Sequence, residues 1–252
     1  MAEPHGPAAA GPADGPWVLL WDIDGTLLST GRAGILALED AAQEVLGTSV
    51  DFSALKTAGL TDFQVAALAV ETAGVEPTPD TVAAFVRVYE RELPARLHAR
   101  QGTVLPGVEA ILARLSGRED VVSLLLTGNT EAGAAAKLRH YGLADYFPGP
   151  GGFSLDGAER AAVARRARDL AAERIGAPPA AERTWVIGDT PHDVECGQAI
   201  DAQTLAVATG TYAVEELEEH GPSLAVEELP APEAFFTMLG LPAASADRAS
   251  SS

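Results

Sequence analysis

Apolar residues along the chain fall into two patterns. The first is a set of short, nearly uninterrupted runs: Trp17-Val18-Leu19-Leu20-Trp21, Val121-Val122-Ser123-Leu124-Leu125-Leu126, Thr184-Trp185-Val186-Ile187 and Thr204-Leu205-Ala206-Val207. Continuous rather than alternating hydrophobicity over four to six residues predicts strands covered on both faces, as in a parallel sheet. The second pattern is amphipathic with helical spacing. It predicts helices over Gly107 to Leu115, Glu131 to His140, Glu159 to Ile175 and His192 to Ile200, lying between the strands in a βαβ order. The stretch 31–100 holds helical runs only, Ile35 to Leu46, Asp62 to Ala73 and Pro79 to Leu97, punctuated by Gly47-Thr48 and Glu76-Pro77. It predicts a helical insert after the first strand. The expected organisation is therefore an α/β Rossmann-like core of residues 17–30 and 101–241, an α-helical cap over 31–100, and irregular tails at 1–16 and 242–252. No repeat of twenty to fifty residues is visible.

Three of the apolar runs end in polar residues. The first opens into Asp22-Ile23-Asp24-Gly25-Thr26, the second into Thr127-Gly128-Asn129, the third into Gly188-Asp189-Thr190-Pro191-His192-Asp193. In a parallel sheet these ends share the carboxyl edge, where open α/β sheets bind ligands. Two acids at the end of a core strand repel each other and call for a compensating cation. Asp22 and Asp24, two apart, point to one side of an extended segment. Asp189 and Asp193 add oxygens from another strand end. Carboxylates without Cys or suitably spaced His favour a hard ion, so Mg2+ is expected rather than zinc. Thr127 with the amides of Gly128 and Asn129, at the start of a helix, forms a phosphate seat. Acids, a metal and a phosphate seat together point to phosphoryl transfer, with one carboxylate attacking phosphorus and another moving protons.

Composition narrows the partners. Among 252 residues, 17 Lys plus Arg stand against 36 Asp plus Glu, a formal charge of -19. That balance argues against nucleic acid and against an anionic membrane surface, while a bound divalent cation can still reverse the field inside one cleft. The single Cys196 excludes an intrachain disulfide and a Cys-rich metal site. With no signal-peptide pattern and no apolar stretch of membrane-spanning length, a soluble cytoplasmic protein is expected. Oligomeric state is not readable, and a monomer is the default.

The three polar strand ends resemble motifs one, two and four of the haloacid dehalogenase superfamily: Asp22-Ile-Asp-Gly-Thr26, Leu126-Thr127-Gly128-Asn129 and Gly188-Asp189-Thr-Pro-His-Asp193. The resemblance spans about Trp17 to Leu241 and implies a Rossmann-like core with, in one large subgroup, a helical cap after the first strand. It implies Asp22 as the nucleophile that forms an aspartyl-phosphate, and Asp24 as the acid for the leaving group and then the base for water. Mg2+ would be held by the Asp22 carboxylate, the Asp24 carbonyl and Asp189. Asp193 would orient the metal shell or pair with the motif-three cation, and Thr127 would bond the transferring phosphoryl group. Motif three departs from the family's common Lys-Pro form. Arg160 is the nearest positional match and the favoured phosphate-binding cation; Lys137 is the other candidate, which helix rise places far from the helix N-terminus.

In the insert, Lys56-Thr57-Ala58-Gly59-Leu60-Thr61-Asp62 resembles the loop that phosphoglycolate-phosphatase-like relatives point from cap to site. Thr61 and Asp62 are thus candidate substrate contacts, and equally candidate helix caps. Arg32 is a weaker candidate. Asn129 is expected to cap the helix that follows it better than Thr127. His98, His140 and His220 read as surface residues, His192 as an exposed helix start, Trp21 and Trp185 as core filler, and Cys196 as a small buried hydrophobe. The implied activity is Mg2+-dependent hydrolysis of a phosphate monoester of a small metabolite. The alternatives are a β-phosphoglucomutase-like sugar phosphomutase and a non-catalytic phosphate-binding module. Dehalogenation and phosphonate cleavage are disfavoured because Asp24 is present.

Overall fold

In the computed structural model, residues 15–155 and 158–242 are described. The sequence expectations for the two tails fall almost wholly outside them. Five strands form one parallel sheet in the order β4-β1-β5-β6-β7: β1 (Trp17–Trp21), β4 (Val121–Leu125), β5 (Thr184–Gly188), β6 (Gln203–Val207) and β7 (Leu224–Val226). The continuous hydrophobicity of β1 has a direct cause. Trp17, Leu19 and Trp21 face one helical layer, and Val18 and Leu20 face the other. The first layer holds α4 (Val108–Leu115), α5 (Glu131–His140) and α9 (Pro232–Leu239); the second holds α6 (Arg160–Ile175) and α7 (Pro191–Gln198). Both Trp21 and Trp185 lie in the first layer, with Phe235 of α9 stacked on Trp21 at 5.8 Å between centroids. Cys196 is buried against the second.

The sequence pattern did not announce β7, α9 or the two-residue antiparallel pair β2 (Leu28–Ser29) with β3 (Thr103–Val104). Each is too short, or too isolated from its neighbours, for periodicity to stand out. The acidic run 215–219 is mostly the short exposed helix α8 (Val214–Glu218), in which Leu217 alone is buried.

Between β2 and β3 lie α1 (Ala33–Leu46), α2 (Asp62–Thr72) and α3 (Pro79–Ala99), which share a hydrophobic core of their own. Ala33, Ala37 and Ala41 line one face of α1 at four-residue spacing, so α3 packs closely on it. The two connections into this helical unit pass side by side. A Cβ on Gly31 (φ 57°) would lie 2.3 Å from the Gln101 carbonyl oxygen, so only glycine permits that approach.

Candidate active site

The three strands β4, β1 and β5 are neighbours, so Thr127, Asp22 and Asp189 emerge side by side at one edge of the sheet. Backbone bonds extend the ladder into the site. The Asp22 N–H donates to Ile187 O at 3.0 Å, and the Leu126 N–H donates to Trp21 O at 2.8 Å. These bonds fix the first polar residue after each strand before any side-chain contact is made.

Asp22, Asp189 and Asp193 are buried, and each offers a carboxylate oxygen to a cluster in which all such atoms lie within 4.8 Å of one another. Thr190 ties Asp193 down, its hydroxyl donating at 2.7 Å and its amide at 3.1 Å to Oδ2. The guanidinium of Arg160 pairs with the other oxygen of Asp193. Asp193 thus belongs to the acid trio and pairs with Arg160 at the same time. Room for Asp189 comes from glycines. A Cβ on Gly25 (φ 80°) would lie 2.3 Å from its Oδ2, and one on Gly210 would lie 1.7 Å away.

Burial pushes the Asp22 carboxyl up to about 7, reinforced by repulsion from Asp193 and opposed by Arg160. Burial raises Asp189 well above the ordinary carboxylate range as well, with Asp193 and Asp22 adding to the effect. Three acids this close, all oxygen donors and mutually destabilised in their charged forms, fit a hard divalent cation.

The carboxylate of Asp24 turns away from this trio. Its Oδ2 accepts from Lys137 Nζ at 2.5 Å and from Asn129 Nδ2 at 2.8 Å. Lys137 Nζ also donates to Asn129 Oδ1 at 2.5 Å, and Asn129 Nδ2 to Thr127 Oγ1 at 2.8 Å. The expectation that Lys137 lies too far from the site is therefore corrected. Helical side chains lean toward the helix N-terminus, so a long lysine spans much of the rise that separates it from that end. Burial alone would depress Lys137, but Asp24, Tyr89 and Asp62 outweigh it and hold the ammonium charged above its usual value. A second correction concerns the helix start. Thr130, not Asn129, caps α5, its hydroxyl accepting from the Gly133 amide at 3.1 Å. Asn129 is drawn off by Asp24 and Lys137, and its own amide donates to Thr127 Oγ1 at 3.3 Å.

The insert reaches the site through the loop that precedes α2. Thr61 is the helix cap, in a reciprocal box with Gln64. Asp62 does something else. Its amide donates to Gly128 O at 2.8 Å and its Oδ2 accepts from the Thr130 amide at 2.7 Å, which pins the insert to the start of α5. Burial lifts the Asp62 carboxyl to about 6, with Lys137 and the Thr130 amide pulling the other way. Gly59 passes so near His192 that a Cβ there would sit 2.4 Å from the ring. His192 itself bonds Glu195 at 2.9 Å at the partly exposed start of α7. Arg32 is exposed and does not line the cavity. His98 is exposed and His140 half-buried, and their rings meet edge to face at 4.8 Å, away from that cavity.

A cavity of about 440 Å³ joins these parts, lined by Asp22, Asp24, Asp62, Asn129, Lys137, Arg160 and Asp189 among others. Tyr89, Thr209 and Gly210 are among the contributors absent from the sequence expectations. Tyr89 of α3 borders it within reach of Lys137. Thr209-Gly210 follow β6, the Thr209 hydroxyl donating to Gly25 O at 2.5 Å. The rule that parallel strands end at one edge, applied to the fourth apolar run, would have found Thr209 and Gly210. Nothing in the helical pattern of 79–97 marks Tyr89.

Comparison with known proteins gives a consistent family. Residues 19–198 match the model of haloacid dehalogenase-like hydrolases. The tyrosine-protein kinase PtkA of Mycobacterium tuberculosis is 28% identical over 202 residues, covering 80% of this chain and 65% of that protein, so the chain spans less than two thirds of that relative's length. "Probable phosphatase IndB" of Dickeya dadantii is 28% identical over 219 residues, covering 83% of this chain and 89% of that protein. Among solved structures, a "predicted phosphatase" from Clostridium acetobutylicum superposes with a TM-score of 0.69 at 22% identity, over 90% of this chain and all (100%) of that one. That likeness shows the Rossmann-like fold. Among the described residues no helix is long and apolar enough to cross a membrane.

Proposed function

The chain belongs to the haloacid dehalogenase-like hydrolase family, and on that premise we propose that it is a phosphatase that hydrolyses the phosphate monoester of a small metabolite through an aspartyl-phosphate on Asp22. The observation that carries this reading is the separation of two acid environments in one cavity. Asp22 sits in the buried trio with Asp189 and Asp193, and Asp24 sits apart with Lys137 and Asn129. Two neighbouring carboxylates take different roles when their surroundings differ in this way.

Asp22, Asp189 and Asp193 would hold Mg2+, whose charge offsets that of the nucleophile and of the phosphoryl group. An Asp22 oxygen attacks phosphorus in line with the ester oxygen, the P–O bond to the alcohol breaks, and Asp24 gives the leaving oxygen its proton. Asp24 then takes a proton from water as that water attacks the phosphoryl group, which leaves Asp22 as inorganic phosphate. Arg160, paired with Asp193 and close enough to Asp22 to lower its pKa, supplies fixed positive charge where the phosphoryl oxygens gather. Gly128 leaves the space for this cation, since a Cβ there would lie 3.0 Å from Arg160 Nη1. The helices of 31–100 act as a cap that excludes bulk water and large substrates.

Purified protein with Mg2+ is expected to hydrolyse p-nitrophenyl phosphate. Asp22→Asn lowers the rate by at least about 1000-fold while its circular dichroism stays that of the wild type. Equal inactivity of both proteins across a broad panel of phosphate esters would sink the reading.

A further inference from the structure

On the premise that the cavity hydrolyses phosphate esters, we infer that its substrate is the phosphate ester of an uncharged alcohol, and that esters carrying a carboxylate next to the phosphate are rejected. The argument is one of charge and commitment. Four carboxylates line the cavity, Asp22, Asp24, Asp62 and Asp189, against two cations, Lys137 and Arg160. Both cations are already engaged. Lys137 donates to Asp24 and Asn129 at 2.5 Å each, with Tyr89 close by. Arg160 pairs with the buried Asp193. Arg32 and Lys56, which neighbour the lining segments in sequence, are exposed and border none of it, nor do Arg87, Arg91 and Arg139.

With Asp193 counted beside its partner Arg160, five acids stand against two cations; a divalent cation would offset two of those three excess negative charges, and the phosphate then brings its own dianion. A further carboxylate on the substrate finds no free cation among the described residues that line the cavity, and is removed from water beside Asp62 and Asp24, an uncompensated burial of like charge. It could recruit Lys137 only by stripping Asp24 of its partner. What the wall offers the leaving group is neutral: the hydroxyls of Ser29, Thr30 and Thr57, and the apolar side chains of Ile35, Leu38 and Leu60. The volume of about 440 Å³ is that of a small-molecule site. This assignment parts from the phosphoglycolate-like substrate that the loop at 56–62 would suggest by resemblance.

Near-isosteric pairs test it directly. The full chain with Mg2+ is assayed on 2-hydroxyethyl phosphate against 2-phosphoglycolate, and on glycerol 3-phosphate against 3-phosphoglycerate, with p-nitrophenyl phosphate alongside. The uncharged member of each pair is expected to have the higher kcat/KM by about tenfold or more. Ile35→Arg, which adds a cation to the neutral wall, is expected to shrink that ratio at least about fivefold. Turnover of p-nitrophenyl phosphate with a ratio below about three, with preference for the carboxylated member, or with turnover of neither pair, overturns the substrate assignment and leaves the phosphatase reading standing. An Ile35→Arg ratio equal to the wild-type ratio overturns it too. No hydrolysis of any ester, p-nitrophenyl phosphate included, overturns the phosphatase reading and the substrate assignment with it.

Discussion

Two ion pairs stand on either side of the cavity, and they differ in what surrounds them. In Arg160–Asp193 both side chains are buried, at 8% and 3% exposure. In Lys137–Asp24 the lysine is buried at 5% but the carboxylate is 42% exposed. In the first pair Asp193 is sealed within the fold and only Arg160 borders the cavity. The pair neutralises an acid that would otherwise stand uncompensated beside Asp22 and Asp189, and its partners come from α6 and α7, both packed under the sheet. The second pair faces the substrate space, and its carboxylate, held by Lys137 and Asn129, is also in contact with water. Similar charges therefore do different work, and burial of the acid decides which.

The contrast can be broken by substitution. Arg160→Met leaves Asp193 buried without its cation, and is expected to cost roughly 3–5 kcal/mol of stability in urea denaturation with EDTA present. A loss as small as that of a surface change would erase the distinction. Lys137→Met leaves Asp24 in contact with water. It is expected to unfold much closer to the wild type, yet to lose about 10- to 100-fold in kcat/KM on alkyl phosphates, whose leaving groups need a proton. On p-nitrophenyl phosphate, which leaves without one, the loss stays within about threefold. A uniform loss on both substrates would instead make Lys137 a phosphate ligand.

Proton linkage sharpens the same comparison. The Asp22 carboxyl is raised from 3.8 to about 7 and that of Asp62 from 3.8 to about 6. A native state that keeps these protons longer than the unfolded chain loses stability as pH rises through that interval. The Tm of metal-free protein should therefore fall between about pH 4 and pH 7, and Mg2+ should restore more at pH 8 than at pH 5. A Tm that rises over that range would contradict the burial of these acids. The smallest effect is expected at the insert. Asp62→Asn keeps an acceptor for the Thr130 amide and removes a charge that burial disfavours, so stability at pH 4, where the wild-type carboxyl is protonated, should change by less than about 1 kcal/mol, while at pH 8 the variant should be the more stable and the pH dependence should flatten.

Much of the core and its chemistry was legible along the chain. The four apolar runs are strands because helices cover both faces of the sheet, and a strand buried twice has no reason to alternate. Asp22 and Asp189 follow their strands directly and Thr127 follows one residue later, so strand position alone placed them together. β7 and α9 stayed hidden, being short elements whose burial depends on neighbours such as Trp21, which stacks on Phe235. In the insert, Thr61 and Asp62 were marked as one ambiguous signal. The fold separates them, one hydroxyl capping α2 and one carboxylate reaching across to Thr130.

By itself the sequence determined what depends on local order: the strand runs, the helical insert, and a cluster of acids built from residues that leave adjacent strands. Only the tertiary structure decided where Lys137 goes. It is 113 residues from Asp24 in the chain and on another element, and its position among Asp24, Asn129 and Tyr89 follows from α3 packing against α5. Contacts of that kind rest on how helices seat against one another and on which side chains lean back along them. Hydrophobic periodicity registers a buried face, but it does not name the polar atom that the face will meet.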